Sequence, residues 1–571
     1  MKALLPYLKP FRKQCIIGPL CKWIEAILEL ILPTIMAFMI NEGVMQHDQQ
    51  VVITYGALMV LMVFIGFGFS LICQYNAAVA SQGFGTNMRN LLFTHIMMLS
   101  YEDLDEFSHS TLFTRISSDV NQLQLAVAML IRLVIRSPFI VIGAVLMAML
   151  LDMRLALILI ACVPLIALVL TLYIKYTTPL YQTYQKKLDR FLSILEQNLS
   201  GVRVIRAFLS QRHASKQLEE AAFDLQKQML QVSRLSALLN PITALIINGA
   251  IVILLWNGML TLPEAIPAGT LIAFINYATQ ILLALVAVSN LIVIFSKAQA
   301  SAERVNELLA MKIRQESGTL NTVPDPQTAI QCDHMSFTYK KAANPSLNDI
   351  TLQIVSGQSI GIIGGTGSGK STLAAVWMNL YPCDGIRLFG AAPAQYDPQL
   401  LNKLITLIPQ TSELFSGTLR DNLLQGNSDA NDSDLWKALN DAQALDFVKQ
   451  KGKGLEHPIE AGGKNLSGGQ RQRIAIARGL LRNTKITVFD DSFSALDFET
   501  DAKLREALNS YREMTKIIIS QRVATLYRCD KILVLDNGYA VGFDTHENLY
   551  DSCLVYREIC HSQQFGKVGA Q

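Results

Sequence analysis

SIGIIGGTGSGKST, running from Ser359 to Thr372, is the stretch from which the fold of the second half of the chain is read. Its first six residues are a short apolar run rich in isoleucine, the pattern of a strand buried on both faces. The next residues form G-x-x-x-x-G-K-[ST], from Gly364 to Ser371. Glycines let backbone N–H groups converge on a phosphate, and the helix that follows adds the positive end of its dipole. In this pattern Lys370 is expected to reach the β- and γ-phosphates and Ser371 to hold Mg²⁺. A strand before the loop and a helix after it are the context such a loop needs, and both are predicted here.

Outward from this loop, KITVFDD (residues 485–491) reads as a second strand ending in two aspartates. Asp490 fits the carboxylate that holds Mg²⁺. Between the two lies LSGGQRQRIAIARGLL (residues 466–481), small residues opening a helix with apolar positions at helical spacing. That is another anion-binding helix start. The chain already has a phosphate loop of its own, so a second such start implies either a second nucleotide or one shared between subunits.

The first half reads differently. The 571 residues are 51% hydrophobic and only 17% charged, against about 25% charged in an ordinary soluble chain. The deficit lies before residue 300, where apolar runs alternate with polar stretches. This excludes an all-soluble enzyme and a disordered scaffold. Six runs have the length of about 20 residues that crosses a bilayer: residues 15–40, 52–80, 127–150, 154–176, 237–262 and 268–296. They pair through short loops, and the pairs are joined by longer polar stretches, 81–126 and 177–236, expected to continue as helices out of the membrane. Lysine and arginine crowd the N-terminal tail and the 177–236 stretch, whereas the short loops 41–50 and 263–267 have none. The positive-inside rule therefore places both termini in the cytoplasm. No cleavable leader is expected: the basic start is followed by too long an apolar run and no small-residue cleavage site. The net charge of +3 is too small to argue for nucleic acid, and the nine cysteines show no metal-ligand or disulfide spacing.

Charges inside spans require a reason. Lys22, Glu25 and Glu29 share one face of the first span. Either they line a polar path for a cationic or amphipathic substrate, or they pair among themselves and orient the helix. Arg132 and Arg136, on one face of the third span, read as snorkelling or pairing residues. Pro138, Pro164 and Pro241 are expected to kink their helices.

Over nearly its whole length the chain resembles the ATP-binding cassette transporters. Besides the phosphate loop and Asp490, it carries the signature Leu466–Ser467–Gly468–Gly469–Gln470. Tyr339 matches the aromatic that stacks on adenine, and Thr372 follows the phosphate-loop serine. Gln410 matches the glutamine that contacts Mg²⁺ and feels the membrane half. Ser494–Ala495–Leu496–Asp497 matches the loop crossing between two cassettes. Taken alone, Tyr339 reads equally well as a core strand residue and Gln410 as a surface glutamine; their order among the motifs assigns them. The resemblance implies an α-helical six-span transmembrane domain plus an α/β P-loop nucleotide-binding domain, the type IV exporter architecture. The expected boundaries are 1–310 for the spans, 311–327 for a linker and 328–571 for the cassette. ATP and Mg²⁺ are the implied ligands, with Ser371, Gln410 and Asp490 around the metal. Gly364, Gly367, Gly369 and Lys370 hold the phosphates. In this family two halves meet, each ATP lying between one half's phosphate loop and the other's signature. Coupling helices are expected near 109–117 and 200–208.

Two departures from the family pattern stand out. The family places Glu directly after the strand aspartate to polarise the attacking water; here it is Asp491. Its carboxylate is one methylene shorter, a retreat of roughly 1.5 Å, and a misplacement of about 1 Å can cost on the order of 10²-fold in rate. The family also places His where Gln521 stands, and glutamine cannot carry the imidazole's charge. The expectation is a chain that binds ATP, hydrolyses it poorly and presents an intact signature to a partner. That asymmetry suits a heterodimer with a homologous half-transporter supplying Glu and His, similar to bacterial heterodimeric multidrug exporters of the plasma membrane. The implied substrates are hydrophobic or amphipathic small molecules. Export of lipid, peptide or thiol compounds, a nucleotide-binding channel or regulatory subunit, and a homodimer using Asp491 as base are the alternatives.

Overall fold

The computed structural model of the chain describes residues 2–260, 267–313 and 318–566. Most of the short loop expected at 263–267, and residues 314–317 of the expected linker, lie outside the described residues. The chain divides into two compact units. One comprises Met1–Met97 and His109–Met311; the other comprises Met98–Ser108 and Lys312–Gln571.

Among the described residues, the first unit is built on six helices long and apolar enough to cross a membrane. The second span is one helix, Gln49–Met97, of 49 residues. At 1.5 Å per residue it is more than twice as long as the roughly 30 Å hydrocarbon core requires. The fourth, fifth and sixth spans, Met153–Ser200, Gln211–Leu260 and Ala268–Leu309, are comparably long. Asp152 starts the fourth by accepting the N–H groups of Arg154 and Leu155. The third span is segmented: π-helical turns at Arg115–Asp119 and Leu130–Val134 interrupt it before Arg136–Leu151. Pro164 and Pro241 lie inside continuous helices. Pro138 instead lies in the first turn of Arg136–Leu151, just after the second π-helical stretch. A shared core of Leu30, Ile140, Leu159, Leu254 and Phe274 joins five spans. Within it Tyr277 Oη donates to the Leu30 carbonyl at 2.8 Å.

The charged face of the first span is satisfied in two different ways. Lys22 Nζ bonds Glu25 at 2.7 Å, and Glu29 pairs across to Arg136 Nη2 of the third span at 2.6 Å. Arg136 is therefore a pairing residue. Nearer the ends of the long helices, Asp119 accepts from Ser301 Oγ at 2.9 Å and also bonds Arg304, while Arg115 Nη2 bonds Glu307 at 2.7 Å. The π-helical turn carrying Arg115 and Asp119 is thus fastened to the sixth helix. Around 200–208 the chain forms a short helix, Val202–Ala207, followed by strongly exposed Phe208 and Leu209.

The second unit holds two main sheets. The strands are β1 (Thr328–Phe337), β2 (Leu347–Val355), β3 (Ser359–Gly364), β4 (Ile386–Leu388), β5 (Ile405–Ile408), β6 (Gly417–Thr418), β7 (Pro458–Ile459), β8 (Ile486–Asp490), β9 (Thr515–Ile519), β10 (Lys531–Asp536) and β11 (Tyr539–Asp544). The larger sheet runs β11-β10-β3-β9-β8-β5 and is parallel except for the β10–β11 hairpin. The smaller, antiparallel sheet is β2-β1-β4. β8 and β9 are buried at every residue, and β3 at all but its first, the pattern of a parallel sheet covered on both faces.

One segment lies where the sequence does not place it. Met98–Ser108, between the second and third spans, belongs with the cassette. Ser100 caps its single turn of helix, Tyr101–Leu104, by accepting the Asp103 N–H at 3.1 Å. The element expected near 109–117 falls in the first unit as His109–Thr114, and the stretch that packs with the cassette is Met98–Ser108 instead. The capping Ser100 and the acidic run after it, not the polar stretch beyond, are what turns toward the cassette.

Candidate nucleotide-binding site

β3 ends at Gly364 near the middle of the larger sheet, and the loop after it passes into the helix Lys370–Trp377. Open parallel sheets place ligands beyond the carboxyl ends of their strands. Gly367 (φ 81°) and Gly369 (φ 99°) adopt left-handed backbone that L-residues disfavour. A Cβ on Gly369 would also stand 2.8 Å from the Ser346 carbonyl oxygen. The loop therefore needs glycine at position 369 for both conformation and space.

The loop opens on a cavity of about 480 Å³ lined by Gly367, Gly369, Lys370, Ser371, Thr372, Gln410, Asp490, Asp491 and Gln521. Lys370 Nζ bends back onto the loop, donating to the carbonyls of Gly364 at 2.9 Å and Gly365 at 2.6 Å. Burial pulls its ammonium below the ordinary lysine value, against the opposing pull of Asp490 and Asp491. Ser371 Oγ donates to Asp490 Oδ1 at 3.3 Å. Asp490 closes β8 and is buried; burial pushes its carboxyl up, with the Ser371 bond opposing and Asp491 adding to the rise. A buried carboxylate facing a lysine and a serine hydroxyl, at the mouth of a glycine loop, is a donor set suited to Mg²⁺ and a triphosphate.

Asp491 stands in left-handed backbone (φ 46°), held by its N–H to the Ile519 carbonyl at 3.0 Å. Aspartate tolerates that region better than most residues. Its Oδ2 accepts from Gln410 Nε2 at 3.2 Å. Gln521 is exposed at the cavity, its carbonyl accepting from Gln563 Nε2 at 2.7 Å. Tyr339 lies beside the site: its hydroxyl donates to Thr372 Oγ1 at 3.1 Å, and its ring meets Phe337 and Tyr381 edge-on at 4.9 and 5.2 Å.

The signature does not join this cavity. Ser467 caps the helix Gly468–Leu481, and a reciprocal bond from its N–H reaches Gln470 Oε1 at 3.0 Å. Leu466 is buried, whereas Ser467 and Gly468 are exposed. A Cβ on Gly469 would approach the Ala495 carbonyl at 3.0 Å, so the signature abuts Ser494–Asp497 within the chain. Leu496 is buried there, and Asp497 caps the next helix by accepting the Thr500 N–H.

The sequence missed the wall supplied by Asn537 and Gly538. These two residues link β10 to β11 with φ 46° and 84°, and the Gly538 N–H donates to the Ser368 carbonyl at 3.3 Å. Asn-Gly between apolar runs is a legible hairpin signal. Its place against the phosphate loop follows only from β10 pairing with β3.

With this geometry in hand, the comparisons with known proteins decide the family. Residues 15–285 match the family described as ABC transporter transmembrane region, and residues 347–494 match the ABC transporter family. The chain is 32% identical over 575 residues, all of both proteins, to the uncharacterized ABC transporter ATP-binding protein YfiB of Bacillus subtilis. The chain belongs to the ABC transporters. Its architecture is that of an ABC exporter half-transporter, six spans and one cassette, a multi-pass membrane protein of a family that works as dimers. A further relative, the ATP-dependent lipid A-core flippase of Vibrio vulnificus, is 25% identical over 99% of this chain and 98% of its own. A bacterial Atm1-family ABC exporter with ATP bound shares the fold at a TM-score of 0.80, with 20% identity over 98% of this chain and 99% of that one.

Proposed function

We propose that this half-transporter is the slow-site subunit of a heterodimeric exporter of hydrophobic or amphipathic small molecules. The observation that carries this reading is the pairing of Asp491 and Gln521 in a phosphate-loop cavity with an intact signature outside it. Residues 1–310 are the transmembrane domain, apart from Met98–Ser108, which packs with the cassette, 311–327 the linker and 328–571 the cassette. Both termini face the cytoplasm of a bacterial cell, and the spans cross its plasma membrane.

In this reading Tyr339 stacks on adenine, the loop from Gly364 to Thr372 cradles the phosphates, and Lys370 leaves the loop carbonyls for the β- and γ-oxygens. Ser371, Asp490 and Gln410 would hold Mg²⁺, which would supply charge neutralisation at the phosphates. Asp491 is the residue placed to orient water. It is short and already engaged by Gln410 at 3.2 Å, so attack is slow. Leu466 to Gln470 complete the partner's site, where a partner's Glu and His hydrolyse ATP, and Ser494 to Asp497 form the crossing between cassettes. Closure on ATP turns the spans outward and hydrolysis resets them. Lys22, Glu25 and Glu29 lie along the substrate path as a pre-paired polar face.

One observation favours a second reading. Asp491 does line the cavity, so a homodimer using it as base is the alternative. The likeness to a lipid flippase keeps lipid among the substrate alternatives. Purification of the complex from its own membranes separates the assemblies: the heterodimer predicts one copy of this chain with one homologous chain carrying Glu and His. Two copies of this chain and no homologue would reject it.

A further inference from the structure

The bonds that hold Met98–Ser108 to the cassette converge on the loop beside the nucleotide cavity. Tyr381 Oη donates to Asp105 Oδ2 at 2.5 Å. The next residue, Glu106, lies 3.7 Å from both Lys340 and Lys341. Those lysines immediately follow Tyr339. Tyr339 in turn meets the Tyr381 ring edge-on at 5.2 Å and an interplanar angle of 83°, and bonds Thr372 of the phosphate-loop helix. Two adjacent acids of one segment thus hold the aromatic shelf from two sides, one through a tyrosine ring and one through two ammonium groups.

We infer that Tyr381 is a positioning residue that makes the segment Met98–Ser108 respond to the nucleobase as well as to the phosphates. The inference rests on the reading of Tyr339 as the adenine shelf. A base on the half-buried Tyr339 fixes that ring, and the edge-on partner must keep the matching orientation, because the favourable geometry of an aromatic pair is angular. The Tyr381 hydroxyl turns with its ring and carries the bond to Asp105, a charge-assisted bond and therefore a strong one. Burial and the Asp105 carboxylate both hold the Tyr381 phenol above its usual range, so it remains a donor. The Lys340 and Lys341 ammonium groups connect the same strand end to Glu106 through their side chains. The segment is continuous in the chain with the second span before it and the third after it. A triphosphate without a base engages Lys370, Ser371 and Thr372 but leaves the shelf empty.

Hydrogen exchange of the peptide covering residues 98–108, measured on the full chain in lipid nanodiscs, reads this directly. Saturating ATP is expected to slow its exchange about tenfold, and saturating ribose 5-triphosphate less than about twofold. Tyr381→Phe, which keeps the ring and removes the hydroxyl, is expected to abolish the ATP effect while leaving ATP affinity within about threefold. Equal protection by ribose triphosphate, or full ATP protection in Tyr381→Phe, overturns the inference. Tyr339→Ala separates the two levels. If it binds ATP as tightly as the parent, the shelf reading has failed and the relay with it. If it weakens binding while Tyr381→Phe stays protected, only the relay has failed.

Discussion

Asp490 and Lys370 show how the nucleotide cavity stores unfavourable charge before a ligand arrives. Burial raises the Asp490 carboxyl and lowers the Lys370 ammonium. A carboxyl raised on folding favours the folded state at pH values below the ordinary carboxyl value of 3.8, and the folded chain loses that advantage as pH rises through the raised value. Asp490→Asn removes the charge. It is expected to raise the unfolding temperature of the nucleotide-free chain at pH 7 by about 2–4 °C, with the gain shrinking as pH falls toward 4. The same variant is expected to lose Mg²⁺-dependent ATP binding. A variant that melts no higher at pH 7 than its parent would show that the carboxylate is relieved by other means. The pair Asp490 and Lys370 was legible because both sit in contiguous motifs. The engagement of Asp491 by Gln410 was not, since those residues are 81 positions apart and nothing local announces the bond.

At the scale of elements, the cap of the helix Gly468–Leu481 is separable from the signature role proposed for its start. Ser467 caps it in the chain alone, so Ser467→Ala is expected to cost about 1 kcal/mol of cassette stability by denaturant titration. ATP affinity at this chain's own loop is expected to stay unchanged, because the signature lies outside that cavity. A large fall in affinity would mean that the signature serves the chain that carries it. In the spans, Glu29 and Arg136 neutralise each other across two helices at 2.6 Å. Removing one partner leaves the other partly buried charge uncompensated, which is expected to lower the unfolding temperature. The double variant Glu29→Gln, Arg136→Gln should recover much of that loss in thermal unfolding. No recovery would place Glu29's role elsewhere, and cationic-dye transport by Glu25→Gln and Glu29→Gln then tests the substrate path.

The elements also divide by how visible they were in the sequence. The six spans and the strand–loop–helix around Lys370 follow from local hydropathy and glycine placement, which act over a few residues. The π-helical turns at Arg115–Asp119 and Leu130–Val134 left no local mark, because tertiary bonds such as Arg115 to Glu307 accompany them. The segment that packs with the cassette, Met98–Ser108, was expected further along, near 109–117, for the same reason. Its membership of the cassette depends on Asp105 meeting Tyr381, 276 residues away.

For the whole molecule the central claim is asymmetry: this half binds ATP at its own loop, hydrolyses it slowly, and lends a sound signature to another half. The family, the six spans and the cassette stand independently of that claim. Its basis is two side chains, Asp491 and Gln521, that both line the phosphate-loop cavity. Steady-state ATP turnover of the chain purified alone in lipid tests it most directly, with the double variant Asp491→Glu, Gln521→His beside it. The account predicts a parent that binds ATP and turns it over at least about 10²-fold more slowly than the double variant. Brisk turnover by the parent, matching the double variant, would make Asp491 a competent base and the homodimer the better assembly.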